Sequence, residues 1–157
     1  MKISIVLIGK TAHKYLNEGI KIYDKRLQKY IPCSFQYLPD IKNAKNLSAT
    51  LIKEKEGDML LQSFGSNDYV VLLDENGKTY TSVQFAKQLQ HFMNTSVRHL
   101  KFVIGGAYGF SQPVYQRANA KMSLSNMTFS HQMVRLIFIE QLYRGFSILN
   151  NEPYHHV

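Results

Sequence analysis

Short runs rich in aliphatic and β-branched residues alternate with amphipathic stretches along the whole chain, and this alternation restricts the fold more than any other feature. Ile3-Ser4-Ile5-Val6-Leu7-Ile8 reads as a buried strand ending at Gly9. Residues 12–31 place Leu16, Ile20, Tyr23, Leu27 and Ile31 three or four apart. That spacing predicts a helix with one apolar stripe, leaving Lys14, Lys21, Lys25, Arg26 and Lys29 on its other faces, and Pro32 ends it. Ser34-Phe35-Gln36-Tyr37-Leu38 alternates as a second strand closed by Pro39, and residues 40–46 form a polar loop. Ser48 is placed to cap a helix running to about Phe64, with Leu51, Met59 and Leu60 inward. Gly57 weakens that helix by about 1 kcal/mol relative to alanine.

The second half repeats the pattern. Tyr69-Val70-Val71-Leu72-Leu73 is a strand, and Asp74-Glu75-Asn76-Gly77-Lys78 carries turn residues. Thr81 or Ser82 begins a helix through about Asn94 with Val83, Phe85, Ala86, Leu89 and Phe92 on its apolar side. Leu100-Lys101-Phe102-Val103-Ile104 is the fourth strand and runs straight into Gly105-Gly106-Ala107-Tyr108-Gly109. A short helix around Pro113–Asn119, a brief strand Lys121–Ser125, a loop Asn126–Ser130 and a last helix His131–Leu149 complete the order. Such alternation predicts an α/β fold with a mostly parallel sheet and flanking helices, and residues 1–157 form a single domain with no linker or repeat.

Composition narrows the class. One cysteine, Cys33, excludes an internal disulfide framework and a thiolate metal cluster, so no metal site is expected. The apolar runs fall far short of the ~20 residues a membrane span needs, and no signal-peptide cleavage pattern follows Ile3–Gly9. A soluble, cytoplasmic protein without a membrane partner is expected. Lys and Arg total 19 against 11 acids, a net charge of +8. The first 30 residues hold seven basic and two acidic groups. Such an excess suits a polyanion, although a solvated lysine-rich helix face gives the same count.

The glycine cluster stands at the carboxyl end of a strand, where open α/β sheets bind ligands. Glycine also serves an ordinary strand-to-helix turn there, so the cluster alone leaves both readings open. The spacing is G-G-x-x-G rather than G-x-G-x-x-G, and no acid follows about 20 residues on to hold a ribose. A conventional nicotinamide site is therefore disfavoured. Phosphate-loop, nucleophile-elbow and H-E-x-x-H patterns are missing as well.

The last helix is apolar over more than one face, which fits a subunit interface or a central core position. It also carries His131, Arg135, Glu140, Gln141, Tyr143 and Arg144, a costly set to bury. His131 and Arg135 share one face and Glu140 and Arg144 another, the latter pair readable as a structural ion pair. After Asn150-Asn151-Glu152, Pro153-Tyr154-His155-His156 adds groups suited to proton transfer.

Motifs in order along the chain resemble the ribosomal RNA large subunit methyltransferase H (RlmH) family of the SPOUT superfamily. They are Met1-Lys2-Ile3, Leu73-Asp74 with Asn76-Gly77-Lys78, Phe102-Val103-Ile104-Gly105-Gly106, Leu124-Ser125-Asn126-Met127-Thr128-Phe129, His131-Gln132-Met133-Val134-Arg135, Glu140-Gln141-Leu142-Tyr143-Arg144 and Pro153-Tyr154-His155. The resemblance spans essentially the whole chain. Ser130 departs from it, since many relatives place proline before the histidine, and a looser start to the last helix is expected.

The resemblance implies an α/β fold of SPOUT type whose C-terminal part forms a trefoil knot, a rare exception to unknotted topology. It implies a homodimer that binds S-adenosylmethionine and methylates N3 of a pseudouridine in helix 69 of 23S rRNA on the assembled ribosome. By position, the cofactor site comprises Leu73, Gly105 and the run Leu124, Ser125, Asn126, Met127, Thr128 and Phe129. His155 assisted by Tyr154 is the first choice for proton management. Arg144 and Arg135 are candidates to hold a phosphate or stabilise negative charge, with Glu140 orienting Arg144. One subunit is expected to bind the cofactor while its partner's tail and basic first helix contact RNA. From the residues without the resemblance, a non-catalytic RNA-binding module stays open, as does a small nucleotide-binding protein.

Overall fold

The computed structural model describes residues 1–156. Five strands build one all-parallel sheet: β1 (Lys2–Ile8), β2 (Cys33–Leu38), β3 (Tyr69–Thr79), β4 (His99–Ile104) and β5 (Ala120–Ser123). The sheet order is β2-β1-β4-β3-β5. Four α-helices lie in the connections between them, α1 (Lys14–Leu27), α2 (Ala49–Ser63), α3 (Ser82–Asn94) and α4 (Gln112–Arg117), and α5 (Met133–Leu149) follows the last strand.

Period-two alternation sends side chains to two separate cores. Ile3, Ile5 and Leu7 of β1 join Phe102 and Ile104 in the larger core, which α1, α3 and α5 cover. Val6, Ile8, Leu72 and Val103 face the smaller core under α2 and α4. Because both faces are covered, the central strands read as continuous apolar runs. In the larger core Phe102 packs against Phe138 of α5 at 4.8 Å between ring centroids.

Element identity follows the sequence reading, and several boundaries do not. Helix α1 covers 14–27 rather than 12–31. After Leu27 the chain turns, and the Gln28 side chain donates to the Cys33 carbonyl (2.6 Å), while Ile31 is buried outside the helix. Leu51, expected inward, is exposed; Ile52, Glu56, Gly57 and Leu60 form the buried side of α2. Gly57 has a packing reason, since a Cβ there would lie 2.2 Å from Ser111 Oγ. The largest difference is at β3, which runs on through Thr79, where Asp74–Lys78 predicted a turn. The register against β5 slips between Leu73 and Lys78, both of which pair with Met122. The turn residues therefore form a bulge within a strand. Gly77 is required there, because any Cβ would sit 2.5 Å from the Met122 backbone.

Helix α5 starts at Met133, not His131. Ser130 does not loosen this end: its Oγ accepts the Met133 N–H at 3.1 Å and its carbonyl the Val134 N–H at 3.0 Å. Past the helix, Asn151 adopts positive φ (54°), and Glu152 N–H returns to the Ser147 carbonyl. This left-handed turn sends the tail back along α5.

Candidate active site

A cavity of about 630 Å³ opens at the carboxyl ends of β3, β4 and β5. The segments after Leu73, after Ile104 and after Ser123 converge there, with Val134 of α5 and Lys53 of α2 at its edge. Leu73, Gly105, Leu124, Ser125, Met127, Thr128 and Phe129 all line it, and Asn126 of the same run does not. Within the last segment Ser125 Oγ accepts the Met127 N–H (2.9 Å), and Ser123 Oγ donates to the Ser125 carbonyl (2.9 Å). These bonds shape the loop and leave Met127 79% exposed, an apolar side chain held over the opening.

Glycine at 105 and 106 keeps the β4 side of the cavity open. A Cβ on Gly105 would approach Phe110 at 3.0 Å, and one on Gly106 would meet the Glu56 carboxylate at 2.6 Å. Opposite, the Tyr115 hydroxyl donates to Asp74. Burial and that carboxylate push the Tyr115 hydroxyl up to about 12, so it stays protonated as a donor. Among the described residues no group of three or more His, Cys, Asp or Glu is placed to hold a metal.

A second cluster lies further along α5. Arg144 donates to Glu140 Oε1 through Nε (3.1 Å) and Nη2 (2.6 Å) and lies over the Tyr154 ring at 4.7 Å. The Tyr154 hydroxyl reaches Glu140 Oε1 at 3.0 Å and the Tyr23 hydroxyl at 3.2 Å. Burial, then the bonds to Tyr23 and Glu140, raise the Tyr154 pKa above that of a free phenol. Arg144 Nη1 is 3.3 Å from His155 Nδ1. A guanidinium only donates, so Nδ1 accepts and the ring proton sits on Nε2. In this arrangement His155 offers a donor at Nε2.

The structure thus gathers Tyr154, His155, Glu140 and Arg144 with each other but not with the cavity of the same chain. Glu140 and Arg144 stand about 9 and 15 Å along the helix axis from Val134, at 1.5 Å per residue. Arg135 corrects the sequence expectation. It is 1% exposed, and its guanidinium donates to the carbonyls of Ile8 (2.5 Å), Gly9 (3.0 Å) and His131 (3.2 Å) and to Thr11 Oγ1 (3.1 Å). With those acceptors filled it fastens the end of β1 to the start of α5 and is not free for a phosphate. Sequence reasoning missed Lys53, Tyr115 and Tyr23, because nothing along the chain shows which distant loop a helical residue will face.

The family model described as "Predicted SPOUT methyltransferase" matches residues 1–155. The chain is 58% identical over 156 residues to a protein of Flavobacterium johnsoniae named "Ribosomal RNA large subunit methyltransferase H", covering 99% of each. Proteins with the same name from Parabacteroides distasonis and Christiangramia forsetii are 56% and 57% identical over the same length, again covering 99% of each.

Proposed function

The chain belongs to the SPOUT methyltransferase family, and from that premise we propose that it is an S-adenosylmethionine-dependent methyltransferase of large-subunit ribosomal RNA. Its target in this reading is N3 of a pseudouridine in helix 69 of 23S rRNA on the assembled ribosome, in the cytoplasm. The observation that carries the reading is the convergence of Leu73, Gly105 and five of the six residues 124–129 on one cavity. Its volume lies within the range of small-molecule sites, roughly 300–1,000 Å³. The residues present fit the cofactor: Leu73, Leu124 and Met127 give apolar walls, and backbone polar groups of both loops can read an adenine edge. Bare backbone at Gly105 and Gly106 lets the ligand approach closely.

S-adenosylmethionine, when bound, supplies an activated methyl on its sulfonium. The protein's task is then to align the acceptor nitrogen with that methyl and to accommodate the proton it loses. Residues 154 and 155 are assigned to that task, with Arg144 holding negative charge and Glu140 fixing Arg144. Because this cluster lies away from its own chain's cavity, the reading includes a homodimer in which the partner's tail reaches the cavity and the basic first helix meets RNA. It also includes a single domain over 1–157 and a trefoil knot at the C-terminal side.

Calorimetric titration with S-adenosylmethionine, beside a Gly105→Trp variant, tests the proposal. Saturable binding by the wild type and loss in the variant are expected, followed by methyl transfer to ribosomes lacking the modification. A folded wild-type protein that neither binds the cofactor nor methylates ribosomes would overturn it.

A further inference from the structure

The C-terminal tail is held at one point that the assigned chemistry leaves unused. Past the turn at Asn151, the Glu152 carboxylate accepts from the hydroxyl of Tyr30, which follows the end of α1. Neither residue belongs to the motifs that carry the family resemblance. The Tyr30 ring is fixed independently of this bond. It stacks on Phe146 of α5 at 6.2 Å between centroids, with the planes 12° apart, and lies 6.1 Å from the Tyr143 ring. It is partly buried against the larger core, so its hydroxyl has little freedom to seek another acceptor. Burial, and then the Glu152 carboxylate, raise the Tyr30 pKa above that of a free phenol, and the hydroxyl stays a donor at neutral pH.

What this contact controls follows from the length of chain beyond it. Glu152 precedes Tyr154 by two residues, about 7 Å of chain at full extension. The residue between them is Pro153, whose φ is locked by its ring. A pin at Glu152 therefore limits where Tyr154 and His155 can go. Their own contacts do not provide such a pin during a reaction. The Tyr154 hydroxyl is engaged with Glu140 and Tyr23, and His155 Nδ1 with Arg144. A group that handles the acceptor's proton must exchange at least one of these bonds for the nucleotide. The Tyr30–Glu152 bond involves no such group and survives the exchange.

We propose that Tyr30 and Glu152 form a latch that holds the tail for methyl transfer, so that Tyr154 and His155 turn toward the nucleotide about a fixed point. The inference rests on the function proposed above, with residues 154 and 155 assigned to the proton. Tyr30 and Glu152 do not meet the reacting atoms, and both are positioning residues.

The test is single-turnover methyl transfer to ribosomes lacking the modification, at saturating S-adenosylmethionine and over a range of pH. Wild type, Tyr30→Phe, Glu152→Ala, the double variant and Glu152→Gln are compared, each also titrated with the cofactor. Tyr30→Phe and Glu152→Ala are each expected to lower the rate roughly tenfold, within what a misplaced group costs. The double variant should lose no more than either single one, because both break the same bond. Glu152→Gln keeps an acceptor for the Tyr30 hydroxyl and should stay near wild type. Cofactor affinity and the pH of half-maximal rate should not move, since the latch carries no proton. Unchanged rates in both single variants, or losses that multiply in the double variant, overturn the latch while the methyltransferase reading stands. A shifted pH midpoint overturns it by placing the pair in proton transfer itself, and an equal fall in cofactor affinity does so by showing a general defect of folding. A wild type that transfers no methyl group to ribosomes overturns the latch and the proposed function together.

Discussion

Arg135 shows how one side chain can secure a site without entering it. Its guanidinium joins the carbonyls after β1 to the turn that opens α5, so loop 124–132 is tied at its far end to the centre of the sheet. Removing it leaves buried carbonyls unpaired, at about 1–3 kcal/mol for the group. Arg135→Met is therefore expected to lower the midpoint of thermal unfolding by several degrees, and Arg135→Lys to recover little of it, since one ammonium cannot span the same four acceptors. Tyr154 makes the opposite case. Its hydroxyl is held by Glu140 and Tyr23 on a stem that still packs if the oxygen is removed. Tyr154→Phe should leave stability and cofactor affinity near wild type and lower the single-turnover rate of methyl transfer to ribosomes about a hundredfold or more, in the range of acid–base contributions. An unchanged rate would remove Tyr154 from the proton path.

Among the elements, α5 has Ser130 at its start, where the serine hydroxyl accepts the Met133 N–H. Ser130→Ala removes the acceptor for Met133 N–H and is expected to cost about 1 kcal/mol in denaturant unfolding. At the other end of the sheet, β4 carries Lys101 and His99 on either side of Asp68, with N–O distances of 2.9 Å each. Despite its burial Asp68 is held below the usual carboxylate range, by Lys101, the Gly65 N–H and His99. His99 is held below the usual imidazole value chiefly by burial, with Lys2 and Lys101 adding to it against Asp68. Both folded-state pKa values are depressed, so the unfolded chain binds more protons and stability rises with pH in each window. Stability should begin to fall as pH drops below about 6.5, where His99 would protonate in the unfolded chain, and fall again below about 4, where Asp68 would. Chemical denaturation between pH 8 and 3 checks this, and Asp68→Asn should flatten the lower step while costing about 3 kcal/mol at neutral pH. Strand and helix identities were legible because burial on two sheet faces and one helix face imprints periodicity on the chain. Their ends were not, since they rest on single contacts such as Gln28 to the Cys33 carbonyl. The bulge at 74–78 was hidden because turn residues suit a bulge as well as a chain reversal. The five residues of loop 124–129 that line the cavity were legible through motif resemblance, whereas Lys53 sits on a helix whose sequence shows only that one face is polar.

For the molecule as a whole, a net charge of +8 predicts that binding to the ribosomal RNA of the proposed function weakens steeply as salt rises, a counterion-release effect. Co-sedimentation with ribosomes at increasing salt checks it, and a salt-insensitive complex would point to apolar docking instead. The passage of β5 past Gly77 has a consequence for how the protein is made. Met122 lies 45 positions after Gly77 in the sequence. At about 5–20 residues per second, translation delivers it roughly 2–9 s later. Throughout that interval the outer edge of β3 has no neighbour, and an unpaired strand edge is a template for the wrong partner. Birth on the ribosome thus imposes a waiting period on this chain, and the nascent protein must be kept from its neighbours until its own fifth strand arrives.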